Sequence, residues 1–213
     1  MKPLSMLRKS VSLADAIVET LKADIQAGTI LPGTHLHQED LAKRFAVSRV
    51  PVRDALFKLS SEGLVSIEAN RGAVVTKLTT DQITEIYDLR LILECDALDR
   101  AIKAIKNEDL PAIRRALRLC RLEADGGDWR AADNEFHRTI YRLSGRLKQV
   151  EIIESLRASV QAYWAQYSTL ATNEPHWLEQ HDALYRCIEQ RDARRAVKLL
   201  RTHLIEASIK LTS

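Results

Sequence analysis

The sequence predicts a mostly α-helical protein, in which an N-terminal winged helix-turn-helix is followed by an all-α, six-helix antiparallel bundle. Its 213 residues include only 7 glycines and 5 prolines, so long stretches must lack helix breakers. Four of those glycines and three of those prolines precede residue 79. Beyond that point, aliphatic residues recur at helical spacing with brief interruptions. We therefore predict two domains, residues 1–78 and residues 79–213.

The N-terminal domain is predicted to begin with a helix over residues 12–27. One face of this helix carries four aliphatic residues, Leu13, Ile17, Leu21 and Ile25. Gly28 follows where a helix-terminating glycine belongs. A turn over residues 31–34 then separates this helix from a short second one, residues 38–45.

A third helix is predicted to follow almost at once, with Ser48 as its N-cap and its end near Glu62. On a helical projection, its aliphatic residues form a buried arc, and Arg49 and Arg53 lie together beside that arc. Two helices joined by so tight a turn form a helix-turn-helix. Arginines in the first two turns of its second helix suit contacts with base edges or phosphates of DNA. Two such arginines in isolation would be better interpreted as a solvent-exposed edge of the helix, paired with nearby acidic residues. Within a helix-turn-helix, DNA binding is the better interpretation.

Two β-prone runs come next, residues 64–68 and 73–77, joined by a turn over residues 69–72. A hairpin with a basic tip directly after such a helix is predicted to be a wing, in which Arg71 enters a minor groove or contacts phosphate. A purely structural hairpin is the alternative. The net charge of +3 lies entirely in this domain, as expected for a part that binds a polyanion.

The run from Leu41 to Leu64, with the Pro32-Gly33 turn ahead of it, resembles the GntR family of bacterial transcription regulators. The resemblance implies a winged helix that binds double-stranded operator DNA. It places Ser48, Arg49, Arg53 and the wing around Gly72 at the DNA, with Arg44 as a further phosphate contact.

The C-terminal domain is predicted to contain six helices, over residues 81–106, 109–125, 128–144, 147–171, 174–190 and 193–211. Asp81 or Thr80 is the expected N-cap of the first. Stripes such as Ile86, Leu89 and Leu93 are expected to form its core. Short connections favour antiparallel neighbours, and so a bundle.

Four polar side chains stand out from this aliphatic background. Asp133 and His137 are one helical turn apart and share a face. His181 and His203 lie at equal distances from the predicted bend at residues 191–192, so a helical hairpin would bring them level. Three imidazoles and one carboxylate suit Zn²⁺ or Ni²⁺. Histidines at the surface or hydrogen-bonded in the core are an equally good interpretation of the spacing alone.

The same segments resemble the FCD effector domain of the FadR-type GntR subfamily, in its shorter, VanR-like group. They are residues 133–137, His181 with the residues around the 191–192 bend, and His203-Leu204. The resemblance implies a divalent metal held by Asp133, His137, His181 and His203, with a small carboxylate effector completing the coordination. It also suggests Arg90 as an anion partner, for which a pair with Glu94 one turn away is the alternative.

These features predict a ligand-responsive, homodimeric transcriptional regulator rather than an enzyme. Three cysteines without CxxC spacing favour free thiols in a reducing cytoplasm. No apolar run reaches the ~18 residues that a membrane span needs. One alternative is a constitutive dimeric DNA-binding protein with a structural bundle. A metal-dependent hydrolase is another, but no HExxH-like arrangement is present to supply its base.

Overall fold

The computed structural model describes residues 12–68, 72–124, 129–166 and 174–212. The chain forms two compact units, Met1–Lys77 and Leu78–Ser213. The first contains α1 (Leu13–Gln26), β1 (His35–Leu36), α2 (Gln38–Phe45), α3 (Arg49–Ser61), β2 (Val65–Glu68) and β3 (Gly72–Val75). The second contains α4 (Thr80–Ala104), a 3₁₀ turn (Asn107–Asp109), α5 (Leu110–Glu123), α6 (Trp129–Arg142), α7 (Leu147–Gln166), α8 (Glu174–Glu189) and α9 (Ala193–Thr212). The predicted mostly helical architecture is confirmed.

The helices of the N-terminal unit begin and end where local signals place them. Ser12 caps α1 through a reciprocal pair of hydrogen bonds with Asp15, which satisfies two backbone donors of the first turn. Leu13 is the one member of the predicted stripe that faces solvent, with 63% of its surface exposed. In α3, the predicted arc of Val52, Ala55, Leu56 and Leu59 is buried as expected.

The turn between α2 and α3 depends on one residue in the left-handed conformation. Ala46 ends α2 with φ 53° and ψ 43°, and the amide of Val47 then donates to the Ala42 carbonyl at 3.0 Å. This closes the end of α2 and redirects the chain into α3 within three residues. The helix-turn-helix geometry follows from this turn.

The wing belongs to a three-stranded antiparallel sheet with the strand order β1-β3-β2. Val65 pairs with Val75 across the hairpin, and His35 pairs with Val74 on the other side of β3. The hairpin strands are shorter than predicted. β1 was not predicted, because two residues are too few to show the alternation typical of a strand.

In the C-terminal unit, α4 and α9 pack along each other over much of their length. Thr79, not Asp81 or Thr80, is the N-cap of α4, because it forms a reciprocal capping box with Gln82. The predicted core stripe of α4 was also wrong, since Leu89 is exposed and the buried face carries Tyr87, Arg90 and Glu94 instead. None of the helices in the described residues is long and apolar enough to span a lipid bilayer.

Candidate metal centre and nucleic-acid interface

A surface groove of about 660 Å³ lies between the start of α3 and the wing. Arg49 and Arg53 of α3 line this groove, one turn apart. Gly72, the first residue of β3, lines it as well. Both arginine side chains are more than half exposed. Three of the residues predicted to bind DNA therefore share one accessible concave surface.

The predicted DNA-binding arginines that the structure describes, Arg44, Arg49 and Arg53, each have an acidic partner. Arg49 Nη2 is bonded to Glu39 of α2, and Arg53 Nε lies 3.7 Å from the Asp54 carboxylate. Arg44 lies outside the groove and donates to Asp24 Oδ2 of α1 at 2.5 Å. These pairs are partly exposed, so exchanging a carboxylate for a phosphate costs little.

Ser48 and Arg71 are the remaining two residues of the predicted interface, and the structure describes only Ser48. Ser48 is the N-cap of α3 by backbone conformation, but its side chain makes no capping hydrogen bond. Its exposed hydroxyl is therefore not used to satisfy the helix. Arg71, predicted at the tip of the wing, lies outside the described residues.

Gly72 has a structural requirement of its own. Its φ is +103°, and a Cβ placed there would lie 2.3 Å from the Leu36 carbonyl oxygen of β1. Only glycine allows β1 and β3 to approach this closely. The close approach fixes the base of the wing beside Arg53.

In the C-terminal unit, four helix positions bring together a cluster of metal-ligand type, which we call the His/Asp cluster: Asp133, His137, His181 and His203. The first two lie on α6, and the two others lie on α8 and α9. One ligand atom from each lies within 4.8 Å of the other three, and all four ligand atoms are buried. The His181 and His203 ring centroids are 5.3 Å apart, across the turn at residues 190–192.

The polar atoms inside the His/Asp cluster lack partners within the described residues. Asp133 Oδ1, His137 Nε2 and both ring nitrogens of His181 are buried and form no hydrogen bond there. His181 Nε2 lies 3.1 Å from Asp133 Oδ1, without the geometry of a hydrogen bond. Each buried polar atom without a hydrogen bond lowers the free energy of unfolding by about 1–3 kcal/mol. Three imidazoles and a carboxylate also form a donor set that suits Zn²⁺ or Ni²⁺, so the residues present fit a divalent cation.

Burial and nearby charges keep Asp133, His137 and His203 in the protonation states that a cation requires. Burial and the charge of Arg157 lower the pKa of His137 to about 4. Burial, with His181 and His137 nearby, holds the pKa of His203 well below its ordinary value. Burial alone would raise the pKa of Asp133, but Arg157 and His137 outweigh it and hold it well below the usual range. At neutral pH, His137 and His203 therefore offer neutral imidazoles and Asp133 offers an ionised carboxylate.

A buried network of charged groups supports the cluster from α4 and α7. Arg157 donates to Asp133 Oδ2 at 2.5 Å, to Glu94 Oε2 at 3.1 Å and to Asn134 Oδ1 at 2.9 Å. Glu94 is fully buried and also accepts from Arg90 Nε at 2.6 Å. The pairing of Arg90 with Glu94 is therefore present, and Arg90 also faces a cavity.

That cavity, of about 40 Å³, adjoins the His/Asp cluster. Its polar lining includes three guanidiniums, two amides and two members of the cluster: Arg90, Arg130, Arg157, Asn134, Gln161, Asp133 and His203. Trp129 and Trp177 line it as well and meet edge to face, with centroids 5.4 Å apart. The lining suits a small anion.

Sequence reasoning named Glu94 only as an alternative partner of Arg90 and missed Tyr141 and Arg157, although a signal was present for Arg157. On α7, the buried residues Val150, Ile153, Arg157 and Val160 follow a helical stripe. A charged residue inside such a stripe indicates a buried ion pair, because an unpaired buried charge is too costly to persist. The acidic partner of Arg157 could not be identified from the sequence, because it lies on another helix.

Comparison with known proteins gives a consistent result for both units. Residues 13–75 match the family described as bacterial regulatory proteins, gntR family, and residues 85–206 match the FCD domain. The HTH-type transcriptional repressor RspR of Escherichia coli K12 is 28% identical over 195 residues, which cover 90% of this chain and 86% of the relative. The gluconate operon transcriptional repressor of Bacillus licheniformis is 32% identical over 187 residues, covering 81% and 74%.

Among solved structures, E. coli McbR/YncC is similar in fold. It superposes with a TM-score of 0.82 at 24% identity, covering 94% of this chain and 97% of that one.

Proposed function

Because this chain belongs to the GntR family of DNA-binding transcriptional regulators and carries an FCD domain, we propose that it is a metal-dependent sensor of a small carboxylate. The observation that carries the proposal is the His/Asp cluster, with four buried ligand atoms within 4.8 Å of one another. Its relatives are transcriptional regulators, and the chain is a regulator rather than an enzyme.

Asp133, His137, His181 and His203 would hold the cation, with Zn²⁺ or Ni²⁺ as the candidates. When bound, such a cation supplies a Lewis-acidic position for a carboxylate oxygen. The guanidiniums that line the adjoining cavity provide charge-assisted hydrogen bonds to the rest of that anion. The cavity volume of about 40 Å³ has room for only a few water-sized groups, which favours a compact effector.

The N-terminal unit would bind operator DNA in the cytoplasm through Arg44, Ser48, Arg49, Arg53, Arg71 and Gly72. We propose that the chain acts as a homodimer, so that two α3 helices meet successive major grooves of a near-palindromic site about 34 Å apart. An effector changes operator affinity only if it binds one arrangement of the dimer better than another.

Adding metal to the metal-stripped protein tests the proposed metal-dependent sensing directly. With Zn²⁺ or Ni²⁺ at about 100 times its Kd, the metal-stripped chain should gain about 2.7 kcal/mol and unfold roughly 5–10 °C higher. A selective carboxylate should then raise the melting temperature further, only when metal is present. Differential scanning fluorimetry measures both shifts.

The matched control is His181→Gln. Its ring nitrogens form no hydrogen bond within the described residues, so the substitution removes a ligand without breaking a hydrogen bond there. This variant should lose most of the metal-dependent shift. Equal shifts in the two proteins would contradict the proposed ligand set. Intact operator binding without any metal effect would favour a constitutive DNA-binding protein.

Arg53→Ala tests the proposed reading of bases. If Arg53 contacts guanine through two hydrogen bonds, its loss should cost about 1–3 kcal/mol of discrimination, and it should weaken operator binding far more than non-specific binding. Arg44→Ala removes a proposed phosphate contact and should weaken both to a similar extent. Fluorescence anisotropy on operator and scrambled duplexes at fixed salt separates the two. Equal losses for Arg53→Ala on both duplexes would rule out base reading.

A further inference from the structure

The hydrogen-bond partner of His137 determines which of its ring nitrogens carries the proton. The Tyr141 hydroxyl lies 2.7 Å from Glu94 Oε2 and 3.1 Å from His137 Nδ1. Glu94 also accepts from two arginines, so its carboxylate acts as an acceptor and takes the single hydroxyl hydrogen of Tyr141. The oxygen of Tyr141 can therefore only accept from His137, whose Nδ1 must be the protonated nitrogen.

A second chain of hydrogen bonds determines the tautomer of His203. Gln180 Nε2 donates to Glu206 Oε2 at 2.6 Å, which orients the amide because a carboxylate cannot donate. Gln180 Oε1 then faces His203 Nδ1 at 2.6 Å. An amide oxygen only accepts, so Nδ1 of His203 is protonated too.

We propose that Tyr141 and Gln180 are positioning residues that hold His137 and His203 in the tautomer protonated at Nδ1, so that each Nε2 lone pair is free to bind a cation. The part of this proposal that concerns metal affinity rests on the function proposed above. Its physical basis is that a ligand held in the competent tautomer and orientation loses nothing to rearrangement on binding. The orphaned atom of His137 is indeed Nε2.

The chain contains an internal contrast. Tyr185 follows His181 by four residues, as Tyr141 follows His137, but its hydroxyl accepts from Arg114 Nε at 3.0 Å. His181 Nδ1 accordingly has no partner among the described residues. Tyr185→Phe is therefore a matched control for Tyr141→Phe, since the same atom is removed one turn after a proposed ligand.

The tautomers can be measured without any metal. In ¹⁵N-histidine-labelled, metal-stripped protein at neutral pH, long-range ¹H–¹⁵N spectra should show His137 and His203 protonated at Nδ1. Tyr141→Phe should move the His137 proton to Nε2, toward Asp133 Oδ1 at 3.6 Å, and leave His203 unchanged. Gln180→Met should change His203 and leave His137 unchanged. A wild-type spectrum with either ring protonated at Nε2 would overturn the assignment.

Competition titration with Zn²⁺ and a chromophoric chelator then tests positioning. Tyr141→Phe and Gln180→Met should each bind Zn²⁺ about 10–100-fold more weakly, while Tyr185→Phe should stay within about twofold. The exchange Gln180→Glu with Glu206→Gln keeps an acceptor facing His203 and should restore most of the affinity. Undiminished affinity in Tyr141→Phe and Gln180→Met would overturn the positioning role. If the wild type bound no Zn²⁺ or Ni²⁺, the sensor proposal and the role in affinity would fail, while the spectra alone would still decide the tautomers.

Discussion

A Glu94→Gln variant is expected to lose about 3–5 kcal/mol of the unfolding free energy of the C-terminal unit. Glu94 is fully buried and neutralises two buried guanidiniums, those of Arg90 and Arg157. Glutamine keeps the shape but removes the charge, which leaves Arg90 without its carboxylate. All three tryptophans follow residue 128 in the sequence, so their fluorescence in a urea titration monitors this unit.

Glu85→Gln is the control, because Glu85 lies on the same helix and is exposed. It should change stability by no more than about 0.5 kcal/mol. Adding Arg90→Met to Glu94→Gln should recover part of the loss, since it removes one of the uncompensated charges. A Glu94→Gln protein as stable as the wild type would show that the buried pairs contribute little.

The same group predicts how the stability of this unit depends on pH. Burial alone would raise the pKa of Glu94, but Arg90 and Arg157 outweigh it and lower the pKa to about 2 in the folded state, from an ordinary 4.5. A lowered folded-state pKa stabilises the protein fully above the ordinary value, and that contribution is lost as pH falls toward the folded value. The wild type should therefore lose stability between about pH 4.5 and 2 more steeply than Glu94→Gln.

Gly72→Ala is expected to destabilise the N-terminal unit by about 3 kcal/mol or more and to abolish operator binding. The added Cβ would lie 2.3 Å from the Leu36 carbonyl oxygen, and φ of +103° is strained for alanine in any case. Relief requires β1 and β3 to separate, which releases the base of the wing. Amide hydrogen exchange of the full chain should show lost protection in β1 and β3.

Gly63→Ala separates backbone strain from the clash. Gly63 also has a positive φ, +75°, but nothing lies within 4 Å of a Cβ placed there. This variant should lose only about 1–2 kcal/mol and keep operator binding. If both variants behaved alike, the contact with Leu36 would be unimportant and strain alone would explain the loss.

The parts of the fold that were predictable are those fixed by local rules. The bounds of α3 could be placed because Ser48 and Gly63 are residue types typical of a helix start and of the position just beyond a helix end. His181 and His203 could be placed level because helical rise is constant and the bend between them was marked by Arg191-Asp192. Resemblance to a family contributed the assignment of these residues to a cation.

Beyond the pairing of Arg90 with Glu94, the supporting network was not predictable from the sequence. Tyr141 reaches Glu94 across 47 residues of sequence, and Arg157 reaches it across 63. The apolar pattern of α4 also misled, since Leu89 and Ile92 are large and exposed whereas Arg90 and Glu94 are buried. Hydrophobic periodicity predicts burial from the hydropathy of each residue alone. It therefore fails for a charged residue that is buried because distant partners compensate its charge.

The central place of β3 in its sheet determines when the N-terminal unit can be completed. β1 precedes α2 in the chain, yet its partners Ala73 and Val74 come about 40 residues later. Closing so long a loop costs conformational entropy, and the contacts of the sheet offset that cost only once its strands have paired. During synthesis, α2 and α3 therefore leave the ribosome while β1 is still unpaired, and the unit gains its last stabilising contacts only after Val75 has emerged.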